Sequence, residues 1–186
     1  MASNITVVFH SGYGHTQRFA QAVAEGAGAQ LLAIDADGNL PEGGWEQLAA
    51  SDAIIFGSPT YMGNASWQFK KFADASSKVW FSQGWKDKIA GGFTNSASMS
   101  GDKVNTMNAL FTLSAQHSMV WVSLGIMPSN SKAAKRNDPN FIGAYAGAMA
   151  QSPSDAGASD MSQGDLDTGR LYGERVAQIT SRMSKT

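Results

Sequence analysis

Along the chain, five short runs of apolar, largely β-branched residues alternate with segments whose apolar positions recur every three or four residues. "ITVVF" (5–9) reads as a strand covered on both faces, because such a strand shows a continuous apolar run rather than alternation. Residues 16–27 put Phe19, Val23 and Ala27 on one helical face, opposite Gln17, Arg18 and Gln21, and Gly28 supplies a stop. "QLLAID" (30–35) is a second strand, "GNLPEGG" a loop and "WEQLAAS" a short helix. "DAIIFGSP" (52–59) is the third strand, and 66–78 a helix with Phe69, Phe72 and Ala73 on one side. "KIAGGFTN" (88–95) is the fourth strand, followed by a long helix near 102–117 and a fifth strand, "MVWVSLG" (119–125). Residues 126–164, rich in Ser, Pro, Asn, Asp and Gly, read as a long loop or flap before a closing amphipathic helix over 165–183.

Strands alternating with helices predict an α/β domain spanning 1–186, with a parallel sheet covered on both faces. Ligands of such sheets bind beyond the carboxyl ends of the strands. The loops in that place after strands one, three and four are 11–16, 58–65 and 94–101, all rich in Ser, Thr, Gly and Asn.

Composition removes several alternatives. A net charge of −1 with interspersed signs lacks the basic face of a nucleic-acid binder and any basic tract for a membrane surface. The absence of cysteine excludes disulfides, thiolate nucleophiles and Cys-ligated zinc, and fits a cytoplasmic location. No metal site is expected. No stretch approaches about 18 consecutive apolar residues, and "MASNITVVFH" enters a strand without the basic start of a signal peptide.

The first loop, "SGYGHT", has the chemistry of an anion cradle. A helix beginning near Thr16 presents unpaired N–H groups and a positive dipole end. Ser11 and Thr16 add hydroxyls, and Gly12 and Gly14 let backbone approach an anion. Ser11 equally suits a plain helix cap. A triphosphate loop is excluded because no lysine follows. A dinucleotide fingerprint is half present, with Asp35 at a suitable distance, but Gln17 stands where a small residue is needed. What remains suits a phosphate monoester such as that of FMN. In "SPTYMGNAS", Tyr61 suits one face of a flat ring, and the N–H groups of Met62 and Gly63 suit its polar edge. "TNSASMSG" suits the opposite edge.

The segments "SGYGHTQRFAQAVAEGA", "DAIIFGSPTYMGNASWQFKKFAD", "KIAGGFTNSASMSG" and "LSAQHSMVWVSLG" together resemble the flavodoxin-like FMN proteins. Within them, the chain looks closest to the WrbA-type NAD(P)H:quinone oxidoreductases, from about residue 4 to 125 and more weakly in the last helix. The resemblance implies a flavodoxin-like three-layer sandwich whose five-stranded parallel sheet has the order 2-1-3-4-5. It implies FMN as cofactor, with its phosphate on Ser11, Gly12, Tyr13, Gly14, His15, Thr16 and Gln17. It places the flavin against Pro59, Thr60, Tyr61, Met62 and Gly63, and against Thr94, Asn95, Ser96, Ala97 and Ser98. His117, just before the fifth strand, takes the place of a histidine at the flavin's edge and is the expected catalytic residue; by position alone it also suits a helix C-terminus. Tyr13 and Trp80 are assigned to the nicotinamide and quinone pocket, Trp80 matching an aromatic residue that in the family comes from a neighbouring subunit, and being equally suited to core packing.

The implied activity is two-electron reduction of a quinone by NADH or NADPH in a ping-pong cycle. The implied assembly is a homo-oligomer, dimer or tetramer. A flavodoxin-type carrier that binds FMN without oxidising NAD(P)H is the competing expectation, against which the weak net charge counts.

Overall fold

The computed structural model describes residues 3–183. Strands β1 (Ile5–His10), β2 (Gln30–Ile34), β3 (Ala53–Tyr61), β4 (Asn64–Ala65), β5 (Ile89–Ser96), β6 (Val120–Trp121) and β7 (Ala148–Gln151) alternate with six α-helices among the described residues. The helices are α1 (His15–Ala27), α2 (Gly44–Ala50), α3 (Trp67–Ala75), α4 (Ser77–Phe81), α5 (Lys103–Gln116) and α6 (Gln163–Met183).

The sheet runs β2-β1-β3-β5-β6, all parallel, with β4 folded antiparallel onto the end of β3 and β7 alongside β5. The five-strand expectation is therefore corrected to seven strands among the described residues, with the doubly wound order kept. β1 is buried throughout, as its continuous apolar run requires, whereas the outer strand β2 buries only Leu32 and Ile34.

The fifth sheet position is where expectation and structure part. The run 119–125 supplies only a two-residue strand, pairing Ile89 with Val120 and Ala90 with Trp121. The chain then leaves the sheet, and Leu124 N–H bonds the Tyr145 carbonyl instead. It returns as β7, which pairs with the far half of β5 from Phe93↔Ala148 to Ser96↔Gln151. Residues 122–147 are thus an excursion inserted into one strand position. Asn140, buried, pins it: its amide donates to the carbonyls of Ile126 and Ala144 and accepts from Ala144 N–H. The expected flap 126–164 accordingly contains a strand and a 3-10 turn, Ala158–Asp160.

α1 and α6 cover one face, at backbone contact: a Cβ on Gly173 would stand 2.1 Å from the Val23 carbonyl oxygen, and one on Gly26 would stand 1.9 Å from that of Arg170. α2, α3 and α5 cover the other, over a cluster in which Trp45 stacks on Phe72 and Trp85. The expected helix 66–78 is two pieces, α3 and α4, joined at Ser76.

Candidate functional site

Beyond the carboxyl ends of β1, β3, β5 and β7, four loops enclose a cavity of about 620 Å³. Its walls are Tyr13, His15 and Thr16 from the first loop, Pro59, Thr60 and Tyr61 from the second, and Asn95 and Ala97 from the third. The fourth wall is Ser152, Pro153, Ser154, Ala156 and Gly157. The volume lies in the range of about 300–1,000 Å³ usual for small-molecule sites.

The first loop turns at Gly14, whose φ of 88° is a left-handed conformation that glycine adopts without strain. Ser11 Oγ lies behind the loop and accepts from the N–H groups of Gly14 (3.2 Å) and Gln17 (3.1 Å). Ser11 is therefore a capping residue, and the N–H groups of Tyr13, His15 and Thr16 form no hydrogen bond among the described residues. The Thr16 hydroxyl likewise has no partner there and lines the cavity. Free donors at a helix N-terminus, with no lysine or arginine among residues 11–16, suit one phosphate monoester. Asp35 is consumed locally, accepting from Asp37 and Asn39 N–H groups, which removes the ribose partner of a dinucleotide site. His15 Nε2 lies 2.9 Å from the Ala156 carbonyl; a carbonyl only accepts, so Nε2 carries the proton and ties the first loop to the fourth.

The second loop is a two-residue hairpin. Tyr61 pairs with Asn64, and Met62 (φ 47°) and Gly63 (φ 77°) form its tip, both left-handed as a primed turn requires. Asn105 anchors the tip by donating to the Gly63 carbonyl at 2.7 Å. Tyr61 reaches back over the first loop, where a Cβ on Gly12 would stand 2.6 Å from its hydroxyl, and it meets Tyr13 edge-to-face at 6.1 Å. Burial, reinforced by the neighbouring Tyr13, raises the Tyr61 phenol pKa. Thr60 Oγ1 is shared between Thr94 and Thr106, each at 2.8 Å, in a buried threonine cluster that locks β3, β5 and α5 together. The Thr94 side chain is thus structural.

The third loop folds around Lys103, the first residue of α5, which is only 1% exposed. Its ammonium donates to Ser96 Oγ (2.9 Å) and to the carbonyls of Ser98 (2.6 Å) and Met99 (2.8 Å). Burial lowers its pKa from 10.5 to about 8. Asn95 Oδ1 accepts from Ser152 Oγ at 2.9 Å, joining the third loop to the fourth.

Two expected site residues are not brought to this cavity. His117 ends α5, which runs antiparallel to the strands, so it lies at the opposite, amino end of the sheet. Its ring packs on Trp85 (4.3 Å) and its Nε2 meets Ser76 Oγ at 2.8 Å. Ser76 gives its only proton to the Ala73 carbonyl, so His117 Nε2 donates and Nδ1 is left bare and buried. Burial accordingly lowers the His117 pKa. Within the chain, His117 takes the helix C-terminal position that its place in the sequence also suited. Trp80, half-exposed on α4, lines a separate groove of about 1220 Å³ between α3 and α5. Gly12, Met62, Gly63 and Ser98 lie in the loops around the cavity, Gln17 in the first turn of α1 and Ser96 at the end of β5, without lining it.

The fourth loop and Lys103 were missed from sequence. The available signal was "AMAQ" followed by "SPSD", a small apolar run ending in a polar loop like the other three.

The family described as NADPH-dependent FMN reductase matches residues 44–134. The chain is 54% identical to "Flavodoxin FldP" of Pseudomonas aeruginosa, over 97% of this chain and 98% of that one. It is 32% identical to an "NAD(P)H dehydrogenase (quinone)" of Geobacter sulfurreducens, over 97% and 99%. The crystal structure of a "flavodoxin, WrbA-like protein" from Agrobacterium tumefaciens superposes with a TM-score of 0.82 at 57% identity, over 97% and 98%.

Proposed function

The chain belongs to the flavodoxin-like FMN proteins of the WrbA type, and from that membership we propose that it reduces quinones by two electrons with NADH or NADPH. FMN is the cofactor, and the residues suit it: free N–H groups and the Thr16 hydroxyl at a helix N-terminus for the phosphate, and a cavity with an aromatic wall for the ring. When bound, FMN carries two electrons, so that NAD(P)H, a proton and a quinone become NAD(P)⁺ and a hydroquinone.

The chain's own contribution is binding, orientation and access. Tyr13, His15 and Thr16 hold the phosphate end by their N–H groups, Thr16 adding its hydroxyl. Tyr61 and Tyr13 form the apolar wall, and Asn95 and Ala97 the opposite edge.

The observation that carries the enzyme reading is the asymmetry of the walls. Aromatic rings stand only on the Tyr13–Tyr61 side, while the facing wall is Ser152, Pro153, Ser154, Ala156 and Gly157. Small residues there leave room for a second flat ring, nicotinamide or quinone, to enter in turn. The same reading includes self-association, supported by the exposed Trp67, Trp80 and Phe81.

A second reading, an electron carrier, is favoured by the 54% identity to a protein named flavodoxin. A net charge of −1 gives it little to steer a basic partner with. Steady-state oxidation of NADH or NADPH by the FMN-loaded protein, with and without a benzoquinone, separates the two. Quinone-dependent turnover supports the reductase; a yellow protein inert to both nucleotides supports the carrier.

A further inference from the structure

The third loop has an arrangement that the proposed chemistry does not use. Ser96 Oγ and the carbonyls of Ser98 and Met99 all turn inward onto the Lys103 ammonium. The intervening carbonyl, that of Ala97, accepts from Gln151 Nε2 at 2.7 Å. Three successive carbonyls are thereby occupied, while the N–H groups of Ala97, Ser98, Met99 and Ser100 form no hydrogen bond among the described residues. The loop's backbone therefore offers donors and withholds acceptors, with Ala97 on the cavity wall.

Lys103 has no salt-bridge partner among the described residues. The carboxylate whose charge acts on it is Asp165 of α6, which is itself held by Arg136 through both carboxylate oxygens and also accepts from Gln151 N–H. A buried ammonium without a carboxylate costs free energy, and its lowered pKa reflects this. Such a group is unfavourable for the fold alone, and its three donors all go to one cavity loop.

We propose that Lys103 is a positioning residue that turns loop 96–100 into a row of backbone donors, selecting a ligand whose ring edge carries hydrogen-bond acceptors. Resting on the FMN reading above, that edge is the pyrimidine-dione side of the flavin, rich in carbonyl oxygen and ring nitrogen. Lys103 acts through the loop and does not touch the ligand.

The test uses the apoprotein titrated with FMN, riboflavin and inorganic phosphate, in wild type, Lys103→Met and Lys103→Arg. Loss of the three donors in Lys103→Met weakens FMN and riboflavin by the same factor, roughly tenfold or more. Phosphate affinity stays unchanged, thermal stability does not fall, and the backbone amide NMR shifts of residues 97–100 move. Lys103→Arg, which keeps the donors, recovers most of the flavin affinity. Wild-type flavin affinity in Lys103→Met overturns the proposal, as does an equal loss of phosphate affinity, which marks general unfolding. If wild type binds no flavin, the FMN reading fails; unchanged amide NMR shifts over 97–100 in Lys103→Met then overturn the loop role separately.

Discussion

The hydroxyl of Tyr172 accepts a hydrogen bond from Gly92 N–H at 2.9 Å and donates one to the Val122 carbonyl at 2.8 Å. Gly92 pairs with Phe56 of β3 on one side, but on the other it lies between the part of β5 paired with β6 and the part paired with β7, where neither strand meets it. A fully buried phenol from α6 thus fills the place of the interrupted strand, and burial raises its pKa. Tyr172→Phe leaves that N–H buried and unpaired, at a cost of about 1–3 kcal/mol. Urea unfolding measures it, with FMN affinity expected to stay near wild type because the cavity is walled by other residues.

Thr16→Val removes a cavity hydroxyl while keeping the shape of the side chain. FMN binding is expected to weaken by about 1–3 kcal/mol, the range for a hydrogen bond to a charged group. Riboflavin, which lacks the phosphate, should bind both proteins equally. An equal loss for the two ligands would place the phosphate elsewhere.

His117 makes stability depend on acid. Its folded pKa is held below 6.5 by burial, so the unfolded chain binds more protons as pH falls. The contribution is therefore complete above about pH 6.5 and lost below it, where buried His10, lowered in the same way, adds to the effect. His117→Gln should reduce the fall in unfolding free energy between pH 7 and 5 without changing quinone turnover. Slower turnover with FMN bound would return His117 to catalysis.

Lys103 gives a pH dependence of the same sign in a higher window. Its folded pKa of about 8 lies below the ordinary 10.5 because burial, helped by Arg136, outweighs the attraction of Asp165. The cost of burying the ammonium is full below about pH 8 and is relieved between there and 10.5. Relative to Lys103→Met, wild-type stability should rise by up to about 3 kcal/mol across that interval. A flat difference in chemical-unfolding free energy would mean that the ammonium is solvated.

Local pattern and tertiary arrangement divide unevenly over these elements. The apolar run of β1, the helical spacing of Phe19 and Val23, and the Gly14 turn are properties of neighbouring residues, so strand, turn and helix were legible in order. The second loop was legible as a cavity wall at Pro59, Thr60 and Tyr61, but Thr94 was not legible as buried, because its partners Thr60 and Thr106 are distant in sequence.

From the sequence alone come the α/β alternation, the polar loops at one sheet edge and a cradle without basic residues, because burial periodicity and turn chemistry act over a few residues. Tertiary structure alone decided that β6 stops after Trp121, that β7 brings Ser152–Gly157 to the cavity, and that the ammonium of Lys103 is enclosed by its loop. It also decided that His117 faces away from the cavity, at the other end of an antiparallel helix. Each of these depends on which distant backbone or side chain satisfies a buried donor or acceptor, and no local pattern encodes that choice.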